Sequence, residues 1–267
     1  MLEILNYSFF TNALIGGNLI AIIRSIIGVF IVIRREVQIS HTISNRVLAG
    51  ISLGLFLGID YNIISVIRAI FASFIIFFIN KTKLLTSDSR MELLSQIMMR
   101  LSIFLISYLV YLRIDITSLL FGNILAITKN DLYLLGIISL IGIIFFAFAS
   151  KKLLAISISE ELAKSKNINS NFYNLAFLIL TALVVAFSIK IFGILLLGAF
   201  LILPSNIGKI LANSIKKVFI FALIVSLIGV NIGLFTSYYL NTATGATIVL
   251  VLAIFLFFSI IFKKIIK

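Results

Sequence analysis

The chain of 267 residues is 62% hydrophobic and only 12% charged, with one proline and no cysteine, and its mean hydropathy is +1.25. Soluble domains carry about 25% charged residues to wet their surface, so this composition excludes one, and the missing cysteines exclude disulfides, thiolate metal sites and cysteine nucleophiles. The formal charge of +13 does not mark a nucleic-acid binder, because the basic residues fall between apolar runs rather than along one face.

The apolar residues come in runs such as Leu132 to Ala149 and Ala246 to Phe262. A run of roughly 18 or more crosses the hydrocarbon core as a helix. A transmembrane β-barrel needs segments of about ten residues alternating in polarity, which are not seen. In chain order the runs predict nine spans, at 9–33, 43–59, 61–80, 93–112, 131–149, 172–190, 191–207, 218–239 and 246–262. The prediction is an all-α, polytopic transmembrane helical bundle in a single domain over 1–267. The alternative is eight spans, with one crossing and a re-entrant segment in place of the two flanking Lys190.

The first span is preceded by no basic region and no small-residue cleavage site, so it is expected to stay in the mature protein. It carries Arg24; Arg68 and Arg100 lie in the third and fourth spans. Charge at membrane depth is costly, so Arg24 and Arg68 should bond freed carbonyls or line a vestibule, whereas Arg100, near a span end, should snorkel.

At the entrance of the second span stand His41, the one histidine, and Asn45, with Ser40, Thr42 and Ser44. His41 and Asn45 share a helix face at i and i+4. They read either as a hydrogen-bonded pair or as contacts for one metal ion, the second making His41 the candidate metal ligand. Gly50, Gly54 and Gly58 follow at four-residue spacing on one face, a pattern for close helix packing.

Between spans four and five, "DITSLLFGNILAIT" reads as an interfacial or re-entrant helix capped near Asp115 or Thr117. The longest polar break, about 150–171, holds "SISEELAKS", with Glu160 and Glu161 ahead of two lysines, the favourable charge order for a short surface helix. It reads as a solvated connector or as a docking element.

Orientation follows from the basic residues. With the N-terminus outside, inner loops hold Arg34, Arg35, Lys81, Lys83, Arg90, Lys151, Lys152, Lys164, Lys166, Lys209, Lys216, Lys217, Lys263, Lys264 and Lys267, and outer loops hold Arg113, Lys129 and Lys190. That bias puts the C-terminus in the cytoplasm. The nine acidic residues fall in loops or at span ends, so no carboxylate lies where a proton- or sodium-driven carrier needs one. There is also no GxxxxGK[ST] loop, so the chain is expected to be no enzyme and to draw energy from another subunit.

Three segments, in order, carry a family likeness: "NALIGGNLIAIIRSIIGVFIVIRRE", "LLFGNILAIT" followed by "NDL", and "IKIFGILLLGAFLILPSNIGKIL". With them the chain resembles the ABC-3 family of permeases, the membrane subunits of bacterial zinc, manganese and iron importers. The resemblance implies a multi-pass protein of the bacterial cytoplasmic membrane, surrounded by lipid. Its implied partners are a second copy of itself, cytoplasmic ABC ATPase subunits that use ATP, and an extracytoplasmic metal-binding protein. The resemblance implies no stably bound cofactor and a divalent metal as cargo.

The family's ATPase-facing loop corresponds to Ser159, Glu160, Glu161, Leu162, Ala163 and on to Asn167, where asparagine replaces a glycine but can enter the same left-handed conformation. At the second span the family usually has Asp and His four residues apart; here those positions are His41 and Asn45, and Arg46 replaces a small residue. A nitrogen-rich site leans toward zinc over manganese. The alternatives are an ABC permease for a metal chelate or small organic cargo, and a non-transporting membrane assembly protein.

Overall fold

A computed structural model describes residues 7–34, 45, 87–108, 122 and 127–266. Among the described residues all regular structure is helical: α1 (Ser8–Ile33), α2 (Ser87–Tyr108), α3 (Lys129–Ile158), α4 (Glu160–Ser165), α5 (Ser170–Phe192), α6 (Ile194–Leu211), α7 (Ile215–Leu240) and α8 (Thr244–Ile266). Five of these, α1, α3, α5, α7 and α8, are long and apolar enough to cross a membrane; the apolar parts of α2 and α6, Ser95–Leu105 and Leu196–Leu211, are shorter. The predicted spans at 43–59 and 61–80, Arg46, Arg68, and most of the outer segment with Asp115 and Thr117 lie outside the described residues.

Polar residues set the helix ends. Thr128 caps α3 in a reciprocal box: its backbone N–H donates to Asp131 Oδ2 at 2.9 Å, and the Asp131 N–H donates to Thr128 Oγ1 at 3.3 Å. Asn169 accepts the Phe172 N–H at 3.2 Å and opens α5. α7 closes on Asn241, in the left-handed conformation at φ 50°.

Contacts fix the relative directions of the helices. Along α1, Ile23 packs where a side chain at Gly142 of α3 would stand, and Phe30 stacks on Phe146 at 5.3 Å, so α1 and α3 run the same way. Phe30 also meets Phe177 and Arg34 meets Asn174, so α5 runs the opposite way. α6 runs with α1, since Arg24 lies at Leu197 and Gly28 at Leu201. α7 opposes α1: Phe10 touches Phe235, and Phe30 touches Phe219. α8 opposes α7 through Gly229 on Leu252 and Gly233 on Ile248.

Three predicted boundaries shift. The span read at 131–149 continues to Ile158, so Lys151 and Lys152 of the polar break belong to α3. The fourth helix begins at Ser87, because its first two turns are too polar to register as hydrophobic and their helical state rests on amphipathic pairing such as Gln96 to Glu92 at 2.9 Å. Lys190 lies inside α5 rather than in an outer loop, because the break is set by Gly193 at φ 71° and ψ 165°, a conformation suited to glycine. Gly193 is buried. Since Arg24, well inside α1, meets Leu197 in the first turn of α6, α6 starts near the mid-depth of α1.

Candidate functional site

α1 packs against α3, α5, α6 and α7, and the polar side chains along its middle, Asn18, Arg24 and Ser25, turn inward. Asn18 and Asn231 face each other as an amide pair, with Nδ2 to Oδ1 distances of 2.8 and 3.4 Å. Ser226 donates to the Ala21 carbonyl at 3.2 Å. Arg24 is 1% exposed. Its Nη2 donates to the Leu197 carbonyl and its guanidinium lies over the Phe200 ring, 5.0 Å from the centroid, while Nε and Nη1 find no acceptor among the described residues. Of the two expectations for this arginine, a carbonyl partner is what the fold supplies. Arg100 is exposed.

Gly28 lets α1 and α6 touch: a Cβ there would strike the Leu201 carbonyl and Ser205 Oγ. Gly208 does the same between α6 and α7, where a Cβ would stand 2.6 Å from the Val218 carbonyl oxygen. α6 is therefore wedged between two helices at backbone contact, the small-residue packing that membrane helices use in place of a hydrophobic drive. Gly50, Gly54 and Gly58 lie outside the described residues.

One end of the bundle collects the lysines: Lys151 and Lys152 on α3, Lys209 on α6, Lys216 and Lys217 on α7, and Lys263 and Lys264 on α8. At this end α1 terminates on Arg34. Its Nε donates to Ser157 Oγ at 3.1 Å, its Nη1 donates to Asn174 Oδ1 at 3.0 Å, and the guanidinium lies 4.7 Å from the Phe177 centroid. Lys152 adds a bond to the Tyr173 hydroxyl at 2.7 Å.

Between these ties hangs the segment 159–168. Its helix α4 contains Glu160, Glu161, Leu162 and Ala163. Ala163 is fully buried and is its anchor, and Glu161 is exposed. The Ile168 N–H closes back on the Ala163 carbonyl at 3.0 Å, with Asn167 in the left-handed conformation at φ 54°. The result is a short helix with Glu161 exposed, packed against α3 and α5.

Of the predicted metal contacts, His41 lies outside the described residues. Asn45 Nδ2 donates to Ser95 Oγ of α2 at 2.6 Å, a bond that employs the amide nitrogen and not the carbonyl oxygen that a cation takes. Ser95 was not singled out from sequence. The signal was its spacing from Ser102, seven residues on and on the same face, both buried while Leu93, Ile97 and Leu101 are exposed. Among the described residues no group of three His, Asp or Glu side chains converges on one point.

A buried apolar helix carrying a few polar side chains, helices running both ways between a lysine-rich end and a lysine-poor one, and a small helix at the lysine-rich end define a polytopic membrane protein. The chain belongs to the ABC 3 transport family, which it matches over residues 6–263. It is 30% identical to the manganese transport system membrane protein MntC of Listeria monocytogenes, over 97% of this chain and 92% of that one. It is 29% identical to the high-affinity zinc uptake system membrane protein ZnuB of Haemophilus influenzae, over 94% and 96%. The fold is similar to a chain of PsaBC from Streptococcus pneumoniae in complex with Fab, with a TM-score of 0.85 and 30% identity over 97% of this chain and 93% of that chain.

Proposed function

We propose that this chain is the membrane-spanning permease subunit of an importer for a divalent metal ion, driven by a separate ATPase. The observation that carries this reading is the family match along almost the whole chain, together with relatives named for manganese and for zinc transport. The proposed cargo is zinc. Support comes from the residue types at the second-span entrance, where His41 and Asn45 offer nitrogen and amide oxygen and no carboxylate.

The proposed arrangement has nine spans in one domain, the N-terminus outside and the lysine-rich end in the cytoplasm of a bacterial inner membrane. Two copies would pair, with ATPases beneath them and an extracytoplasmic metal-binding protein above. The permease itself holds no ATPase site. ATP-driven closure of the partner subunits pushes on α4 through Glu160, Glu161, Leu162 and Ala163, and the second-span face around His41 and Asn45 changes the side it opens to. Contacts to the ion are transient, since a tight site would not release it.

The test is uptake of radioactive zinc and manganese by cells that carry, lack, or regain the chain. The reading expects zinc uptake to disappear on deletion, to return with the wild-type chain, and to stay low with His41→Ala. Unchanged uptake of both metals on deletion overturns the transport assignment. Full restoration by His41→Ala overturns the site assignment alone.

A further inference from the structure

An open groove of about 550 Å³ runs along the outside of the bundle at the lysine-rich end, between α6, α7 and α8. Apart from Ser259 its lining is apolar, with Ile207 of α6, Phe221 of α7 and Phe255, Phe258 and Phe262 of α8, and it reaches Ile265. The ten residue steps along α8 amount to roughly 15 Å of helix, which is about half the hydrocarbon thickness and so the depth of one leaflet. The groove therefore has the length of an acyl chain that starts at the membrane surface.

The charge at its mouth is one-sided. Lys217 stands one turn before Phe221 and so on the groove face of α7, and Lys263 stands one turn beyond Ser259 on the groove face of α8. Lys263 bends across to the carbonyl of Ile210 at the end of α6, which holds its ammonium at the rim. Lys216 and Lys264 flank these two and are exposed. No Asp or Glu occurs after Glu161 in the sequence, so none of α6, α7 or α8 can supply a counter-charge.

We propose that this groove is a binding site for one anionic phospholipid, its acyl chain lying along α8 and its phosphate headgroup held by Lys217 and Lys263. An apolar trough one leaflet deep, closed at the surface by cations that no carboxylate of these helices neutralises, complements such a lipid at both ends. A zwitterionic lipid fills the trough but leaves the rim charge uncompensated. An acidic protein surface answers the rim but does not fill the trough.

The chain contains no tryptophan, so a single one reports locally. Phe262→Trp, or Phe258→Trp where the first does not fold, is placed in vesicles of phosphatidylcholine mixed with brominated phosphatidylglycerol, or the reverse, and quenching by the two lipids is compared. Leu250→Trp, toward the other end of α8 and outside the groove, is the reference. The expectation is a preference for phosphatidylglycerol of about fivefold or more at the groove, near unity at Leu250→Trp, and lost from the groove when Lys217→Gln and Lys263→Gln are added. Equal quenching by both lipids at the groove overturns the proposal. So does a preference that survives both lysine changes.

Discussion

Arg34 Nη1 donates to Asn174 Oδ1 at 3.0 Å, joining the last turn of α1 to the first of α5, with Ser157 of α3 on the same guanidinium. The ends of α1, α3 and α5 are thereby held by one side chain, with α4 packed against the latter two, and His41 follows seven residues on in the sequence.

Arg34→Ala is expected to uncouple the transporter. Hydrogen bonds to a charged group contribute about 1.5–3 kcal/mol each, and their loss lets α4 move without moving α1. In proteoliposomes with the ATPase present, zinc moved per ATP hydrolysed should fall while hydrolysis continues. Arg34→Lys, which keeps the charge but not the two-pronged geometry, should recover part of the ratio. An unaltered ratio in Arg34→Ala would remove Arg34 from the linkage.

At Arg24 the expectation concerns stability. A buried cation with one carbonyl partner returns little of its desolvation cost, and an apolar residue of similar length often does as well or better. Arg24→Met should melt at or above the wild-type temperature in detergent, and Arg24→Ala should melt lower by the cost of a cavity, about 2–5 kcal/mol. Equal losses in the two variants would mean that the charge itself holds α1 to α6.

Two glycines give opposite predictions for one substitution. Gly28→Ala must force α1 from the α6 backbone and should cost about 1–3 kcal/mol. Gly136→Ala meets nothing within 4 Å and should leave the melting temperature unchanged or raise it, since alanine favours helix by about 1 kcal/mol. Thermal melting followed by size-exclusion chromatography separates them.

Exchanging the second-span residues tests metal choice. His41→Asp with Asn45→His supplies a carboxylate, whose oxygen suits manganese better than a nitrogen-rich pair does. The ratio of manganese to zinc uptake should rise about tenfold, equivalent to roughly 1.4 kcal/mol. A constant ratio would place selection elsewhere.

The long helices were legible because hydropathy reports directly on what lipid tolerates: α1, α3, α7 and α8 cover the runs read from the sequence, and the polar interruption 150–171 holds α4 where the glutamate-then-lysine order placed it. What hydropathy does not carry is position within the bundle. The carbonyl that receives Arg24 lies 173 residues away in sequence, and no pattern in either segment announces the pairing. Gly28 sits in an apolar run like any other glycine, and its role is set by Leu201 and Ser205. The sequence divided two spans at Lys190, whereas the break falls at Gly193, and the burial of that glycine rests on Phe192 and Phe200 stacking at 4.5 Å across it.

The depth at which α6 starts has a mechanical corollary. A rod of 18 residues, about 27 Å long, whose upper end stands level with the middle of α1, moves its lower end by about 2 Å on a tilt of about five degrees. Because Gly28 leaves no clearance toward α1 and Gly208 none toward α7, such a tilt drags both neighbours, and through Arg34 it pulls on α3 and α5.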